Sequence, residues 1–322
     1  MFYKLGAKVK VYSIFDDYNE SAAAKLKEAG IELTIHPTGV ARPSEEEMKL
    51  ILEEYDAVII GTSQKIKPFM FKDVQGKRII ATASVGKDHI CLPEDKKDQV
   101  LVLNTPKANA QSVAEYTIAC ALSCCKRLIE GADLYSQGKN NKQLSAKPAE
   151  LYGKTMGVIG AGNVSVRTME YAQMFGMKLL CWTAHPENHA ELLEKSVSFV
   201  EIETLVEEAD VISVNLPNNN DTKNIISKEL VDLMKDDAIF ISVSRKDTID
   251  WKALFDKAIN NKNFYACVDI DVDNDVVAGL PNIPNVLVTP HVGGSTAETR
   301  QRMFIEIADK LVQIYKSAEV SD

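Results

Sequence analysis

Short apolar runs alternate with amphipathic stretches twice along this chain, and that alternation limits its possible folds more than any other feature. Near the N-terminus the strand candidates are "KVKVYSI", "IELTIH", "DAVIIG", "KRIIATAS" and "VLVLNTP". Between them lie "ESAAAKLKEAG" and "PSEEEMKLILEEY", whose apolar residues recur at helical spacing. Gly30 suits a helix stop, and Ser44 with Glu47 makes a capping-box pattern. From Leu151 the alternation restarts with "KTMGVIG", "MKLLCW", "SVSFV", "ADVISVNLP", "AIFISVS", "FYACVDI" and "NVLVTP". Parallel strands need a crossover between them, so this pattern predicts parallel sheets with helices on both faces. At 322 residues and 45% hydrophobic content, the chain is too long for one core. Two α/β domains are expected.

The junctions follow from what lies between the strands. A helix is expected from roughly Ala110 to Gly131, followed by a polar loop or arm, "SQGKNNKQLSAKPAE". After Pro290 comes "STAETRQRMFIEIADKLVQIYKSA", an amphipathic helix opened by Ser295 or Thr296. With no strand to join in its own domain, it is expected to return to the first. The expected division is therefore 1–103 plus 290–322 for one domain and 104–289 for the other.

Composition excludes several partners. The formal net charge is −9 and no Lys/Arg block stands against it, so no nucleic-acid partner is expected. The apolar runs are too short to cross a bilayer, and "MFYKLGAKVKVYS" lacks a signal-like apolar core, so a cytoplasmic protein without membrane attachment is expected. Six cysteines in so long a chain do not make a disulfide framework. Cys120, Cys124 and Cys125 read as buried small residues on a helix. His185 and His189 stand four apart with no evident third ligand, so no metal is expected.

"TMGVIGAGNVSV", residues 155–166, is the strongest local signal. A strand runs into a glycine turn that opens a helix, as a dinucleotide site requires. Gly160 permits the tight turn, and Gly162 lets the backbone approach a pyrophosphate at the helix N-terminus. Ser165 occupies the third small position, which serves helix-to-strand packing and tolerates one extra group. The next strand closes on Thr183 rather than on the acidic residue that would bind the adenosine ribose. Losing that carboxylate removes repulsion against a 2′-phosphate, yet no arginine follows to bind one. NAD and NADP both stay open.

In order along the chain, "ATASVGKDHICL", "VLNTPKANAQSVAEYT", "LYGKTMGVIGAGNV", "NLPNNNDTKNIISKELVDLMKDDAIFISVSR", "ACVDI" and "NVLVTPHVGGSTAET" resemble the D-isomer-specific 2-hydroxyacid dehydrogenase family over nearly the full length. The wording leans toward its phosphoglycerate dehydrogenase and hydroxypyruvate reductase branches. The resemblance implies two Rossmann-like domains with parallel sheets and a cleft between them, a homodimer, and a small 2-hydroxy or 2-keto acid as substrate. It makes His291 in "TPH" the acid/base and Arg245 in "SVSR" the cation for carboxylate and carbonyl. The amides around Ser84, Val85 and Gly86 would receive the substrate carboxylate, and Asp269 would lie near the nicotinamide carboxamide. Asn163, Val164, Pro217 and Val243 join Gly160, Gly162 and Thr183 as implied cofactor contacts.

Two departures stand out. The family places a glutamate five residues after that aspartate to pair with the histidine, whereas this chain has Asn274 flanked by Asp273 and Asp275. Any of the three is a candidate partner. Lys246 also replaces a family glycine. The phosphoglycerate branch carries basic residues after its third strand, while "IIGTSQKIKP" offers only Lys65 and Lys67, and Lys87 is a further candidate cation near the carboxylate loop. The leading expectation is an NAD(P)-dependent oxidoreductase, and the alternative is a dinucleotide-sensing binding protein of the same fold that has lost catalysis.

Overall fold

The structure, a computed structural model, describes residues 9–270, 283 and 285–319. The chain divides into two units, Met1–Asn109 with Ala297–Asp322, and Ala110–Thr296. Both junctions lie a few residues beyond positions 103 and 289.

The first unit begins with β1 (Lys10–Ser13), α1 (Glu20–Glu28), β2 (Glu32–Ile35), α2 (Glu45–Glu54), β3 (Ala57–Ile60), β4 (Arg78–Thr82) and β5 (Val100–Leu103). Its sheet runs in the order β2-β1-β3-β4-β5, with every pair parallel. Central β3 is buried at each of Ala57, Val58, Ile59 and Ile60, as a strand covered on both faces must be. Asn19 caps α1 by accepting from the Ala22 N–H, and Gly30 at φ +73° carries the chain out of it. The capping box of α2 forms in full between Ser44 and Glu47.

The second unit comprises α3 (Ala110–Cys125), α4 (Leu128–Ser136), β6 (Thr155–Ile159), α5 (Asn163–Met174), β7 (Lys178–Trp182), α6 (Glu191–Glu194), β8 (Val197–Phe199), α7 (Ile202–Glu208), β9 (Val211–Val214), α8 (Lys228–Leu233), β10 (Ile239–Ser242), α9 (Trp251–Asn260), β11 (Tyr265–Asp269) and β12 (Val286–Thr289). Its parallel sheet runs β12-β11-β10-β9-β6-β7-β8. Successive strand residues feed opposite apolar layers. Val158, Ile241 and Cys267 pack in one, and Ile159, Phe240 and Val268 in the other.

Where one helix from Ala110 to Gly131 was expected, the structure breaks it in two. Arg127 adopts φ +55°, outside helical space, and its guanidinium lies 4.1 Å from the centre of the Tyr265 ring. Gly131 sits inside α4 instead of ending a helix.

The last helix, α10 (Ala297–Glu319), belongs to the first unit. Its Phe304, Ile307, Ala308, Leu311 and Tyr315 join that unit's core. Ion pairs from Asp309 to Lys25 and from Arg300 to Asp17, each 2.5 Å, tie it to the N-terminal segment. No helix among the described residues is long and apolar enough to cross a membrane.

Candidate active site

Every strand of the second sheet is parallel, so all C-terminal ends leave from one edge. From β6 the chain goes outward to β7 and β8, then crosses back to β9 and continues to β12. The reversal opens a crevice between the ends of β6 and β9, which is where ligands bind in such sheets. The glycine turn sits there. Gly160 has φ +101°, and a Cβ on it would stand 2.9 Å from the Asn215 carbonyl oxygen, so only glycine fits. Gly162 differs: it precedes α5 with φ −73°, and nothing lies within 4 Å of a Cβ built on it.

The residues there fit a dinucleotide. The open face at Gly162 leaves room for a diphosphate at the first amides of the twelve-residue α5. Asn215, just past β9, holds its Nδ2 buried and without a hydrogen-bond partner among the described residues. Ser165 is fully buried beneath the helix start, its Oγ also without a partner among the described residues. Thr183 is half-buried past β7, while His185 nearby is exposed and 3.2 Å from Glu187.

Arg245 follows β10 and is half-buried. Its loop is fastened by Ser244, whose hydroxyl donates to the Val214 carbonyl at 3.0 Å and accepts from the Leu216 N–H at 2.8 Å. Thr248 then donates to the Arg245 carbonyl at 2.8 Å. Pro217 and Val243 lie on these two neighbouring strand ends, Pro217 exposed and Val243 half-buried.

Asp269 ends β11 and is buried. Its Oδ1 accepts from the Thr289 hydroxyl at 2.6 Å and the Val292 N–H at 2.8 Å, and its Oδ2 accepts from the Gly293 N–H at 2.8 Å. His291, half-buried after β12, lies within that loop at φ +52°. Asp273, Asn274 and Asp275 lie outside the described residues.

In the first unit, Ser84, Val85 and Gly86 form the loop after β4. The Ser84 hydroxyl donates to the Gly86 carbonyl at 2.6 Å and meets Thr82 Oγ1 at 2.8 Å. Asn104 Nδ2 donates to the Val85 carbonyl at 2.7 Å, and the Thr105 N–H to the Ser84 carbonyl at 2.9 Å. The carbonyls are thus engaged from within the unit. Lys87 is exposed, and Lys67 pairs with Glu45 at 2.5 Å.

Several contributors were not singled out by sequence. Arg42 donates to Ser63 in the loop after β3. On α3, Ser112 and Tyr116 reach the His291 loop. Their signal was two polar groups four apart in an apolar helix, which in sequence reads as ordinary core. Cys120, Cys124 and Cys125 are buried as expected; Cys181 and Cys267 are buried too and Cys91 is exposed, all free. Cys124 and Cys267 bring their sulfurs within 3.2 Å, and burial pushes the Cys181 thiol up to about 12. No group of three metal-ligating side chains occurs among the described residues.

The family model described as D-isomer specific 2-hydroxyacid dehydrogenase, NAD binding domain, matches residues 118–293. A hydroxypyruvate reductase of Thermotoga maritima is 33% identical over 271 residues, covering 83% of this chain and 87% of that protein. A glyoxylate reductase of Thermofilum pendens is 28% identical over 315 residues, covering 96% and 92%. Among solved structures, a D-lactate dehydrogenase from Aquifex aeolicus, complexed with NAD and lactic acid, superposes with a TM-score of 0.77 at 26% identity, covering 97% of this chain and 96% of that one. The chain belongs to the D-isomer-specific 2-hydroxyacid dehydrogenase family and is an oxidoreductase that uses a nicotinamide dinucleotide.

Proposed function

We propose that the protein reduces a short, unphosphorylated 2-keto acid to its D-2-hydroxy acid. The observation that carries this reading is the placement of Arg245, Asp269 and His291 at the ends of adjacent strands β10, β11 and β12, on the same edge as the Gly160–Gly162 turn. When bound, the nicotinamide supplies the hydride. His291 gives its proton to the substrate carbonyl oxygen as C2 is reduced, and takes it back in the reverse direction. Arg245 grips the carboxylate and the carbonyl oxygen through its fork of N–H donors. The N–H groups of Ser84, Val85 and Gly86 are the first unit's carboxylate-binding group. Gly160, Gly162, Asn163, Val164, Pro217, Val243 and Asp269 line the coenzyme. Thr183 would meet the adenosine ribose, where an uncharged hydroxyl would accept NADH and NADPH alike. One of Asp273, Asn274 and Asp275 takes the place of the family glutamate beside His291.

Substrate size follows from charge. Around the loop after β3, Lys67 is paired with Glu45 and Arg42 donates to Ser63, which leaves exposed Lys65 to meet a phosphate, fewer cations than a run of basic residues would bring. Reduction of hydroxypyruvate and glyoxylate is named for two of the relatives and suits this site. The first unit is the substrate-binding domain and the second the dinucleotide-binding domain. Leu128, Ile129, Tyr135, Tyr152 and Met174 leave apolar surface exposed on the second unit, which supports a homodimer formed there. Six free thiols suit the reducing cytoplasm. No relative described above supports the non-catalytic alternative.

The test is NADH and NADPH absorbance with hydroxypyruvate and glyoxylate. Turnover with at least one acid is expected, and Arg245→Lys should raise its KM by about 10- to 100-fold through loss of the bidentate fork. An absence of turnover with both coenzymes and both acids would overturn the reading.

A further inference from the structure

His291 does not sit on a passive loop. Its backbone is left-handed at φ +52°, a conformation that an L-residue holds only where its surroundings impose it. Contacts around it impose it here, beginning with the His291 N–H, which donates to the Thr289 carbonyl at 3.0 Å. Asp269 accepts from the Val292 and Gly293 N–H groups at 2.8 Å each. Ser112 donates to the Gly293 carbonyl at 2.6 Å, and Ser295 to the His291 carbonyl at 3.1 Å. The fit at Gly293 is close: a Cβ there would stand 2.9 Å from Asp269 Oδ2 and 3.2 Å from the Tyr116 ring.

The direction of the remaining bonds can be deduced. The Thr289 hydroxyl has one proton and gives it to Asp269 Oδ1 at 2.6 Å, since a carboxylate only accepts. Tyr116 lies 2.6 Å from the same hydroxyl, so its phenol must be the donor. Burial pushes the Tyr116 phenol far above its usual range, which keeps that proton in place. Tyr116 and Ser112 stand four apart on α3, one turn of a single helix face, and grip opposite sides of the loop.

We propose that Ser112 and Tyr116 of α3 are positioning residues for His291, acting through Thr289, Asp269 and the Gly293 carbonyl to fix the turn that presents the imidazole. The proposal rests on reading His291 as the proton donor. Asp269 is then more than a coenzyme contact: its carboxylate is the joint between α3 and the histidine turn. Neither α3 side chain touches substrate.

The experiment uses hydroxypyruvate with NADH as probe, and compares wild type with Tyr116→Phe, Ser112→Ala, Thr289→Ser, His291→Gln and the Tyr116→Phe/His291→Gln double variant. Tyr116→Phe keeps the ring and removes the hydroxyl that meets Thr289, so kcat is expected to fall about 5- to 10-fold. Its pH profile should shift, while the NADH dissociation constant from fluorescence titration stays as in wild type. Thr289→Ser keeps the hydroxyl and should retain activity. In the His291→Gln background, Tyr116→Phe should cost nothing more, because its whole effect passes through the imidazole. An equal loss in both backgrounds, or no loss in either, overturns the proposal.

If His291→Gln keeps the wild-type rate, the proton-donor reading falls by itself. The positioning claim is then decided by the His291 Cε1–H resonance, identified by its disappearance in His291→Gln. Movement of that resonance in both Tyr116→Phe and Ser112→Ala upholds positioning, and an unmoved resonance in both removes it. Ser112→Ala serves equally should Tyr116→Phe not fold.

Discussion

Two glycines of one turn do different work. Gly160 serves the chain: its φ of +101° and the nearby Asn215 carbonyl exclude any side chain. Gly162 has ordinary backbone angles and open space ahead of it, so nothing in the chain itself demands glycine there, and the space it leaves is what a diphosphate would use. Gly160→Ala is therefore expected to lose about 1–3 kcal/mol of stability, read by urea unfolding. Gly162→Ala should leave the unfolding midpoint where it is and weaken coenzyme binding about tenfold, roughly 1.4 kcal/mol by fluorescence titration. Equal stability losses would mean that the turn is purely structural. Both glycines were legible in the sequence because a strand precedes them and a helix follows. The Tyr116–Thr289–Asp269 chain was not, since three polar residues from α3, β11 and β12 meet only after the sheet has formed.

At the scale of elements, local chemistry was easiest to read where it closes within one turn. The Ser44–Glu47 box is such a case. The Ser44 Oγ accepts from the Glu47 N–H at 3.3 Å, and Glu47 Oε2 accepts from the Ser44 N–H at 2.8 Å. Ser44→Ala should cost about 1 kcal/mol in urea unfolding at neutral pH. The Ser44 backbone and hydroxyl donors hold the Glu47 carboxyl below its usual value. With a depressed folded-state pKa, that carboxylate's contribution is complete above the usual carboxylate range and lost as pH falls through the lowered value. The gap between wild type and Ser44→Ala should accordingly narrow in acid. A gap that is absent at neutral pH, or that widens in acid, contradicts the capping assignment. The break between α3 and α4 was illegible for the opposite reason. Nothing near "CCKRLIEG" forbids helix, and Arg127 leaves it to stack on Tyr265, far away in sequence.

At the scale of the whole molecule, the doubled alternation of strand and helix was enough to anticipate two parallel sheets. The return of α10 to the first unit was also inferable, because an amphipathic helix without a strand of its own needs another unit's core. The placement of Arg245, Asp269 and His291 at neighbouring strand ends was legible, since parallel strands place all their C-terminal ends together. The central claim is hydride transfer from coenzyme to the C2 carbon of a keto acid with the proton coming from His291. Its most direct test is mass spectrometry of the glycerate formed from hydroxypyruvate with NADH or NADPH doubly deuterated at nicotinamide C4. The account predicts one deuterium at C2 of D-glycerate, formed about a hundredfold or more slowly by His291→Gln. Unlabelled product, no product with either coenzyme, or full activity in His291→Gln would contradict it.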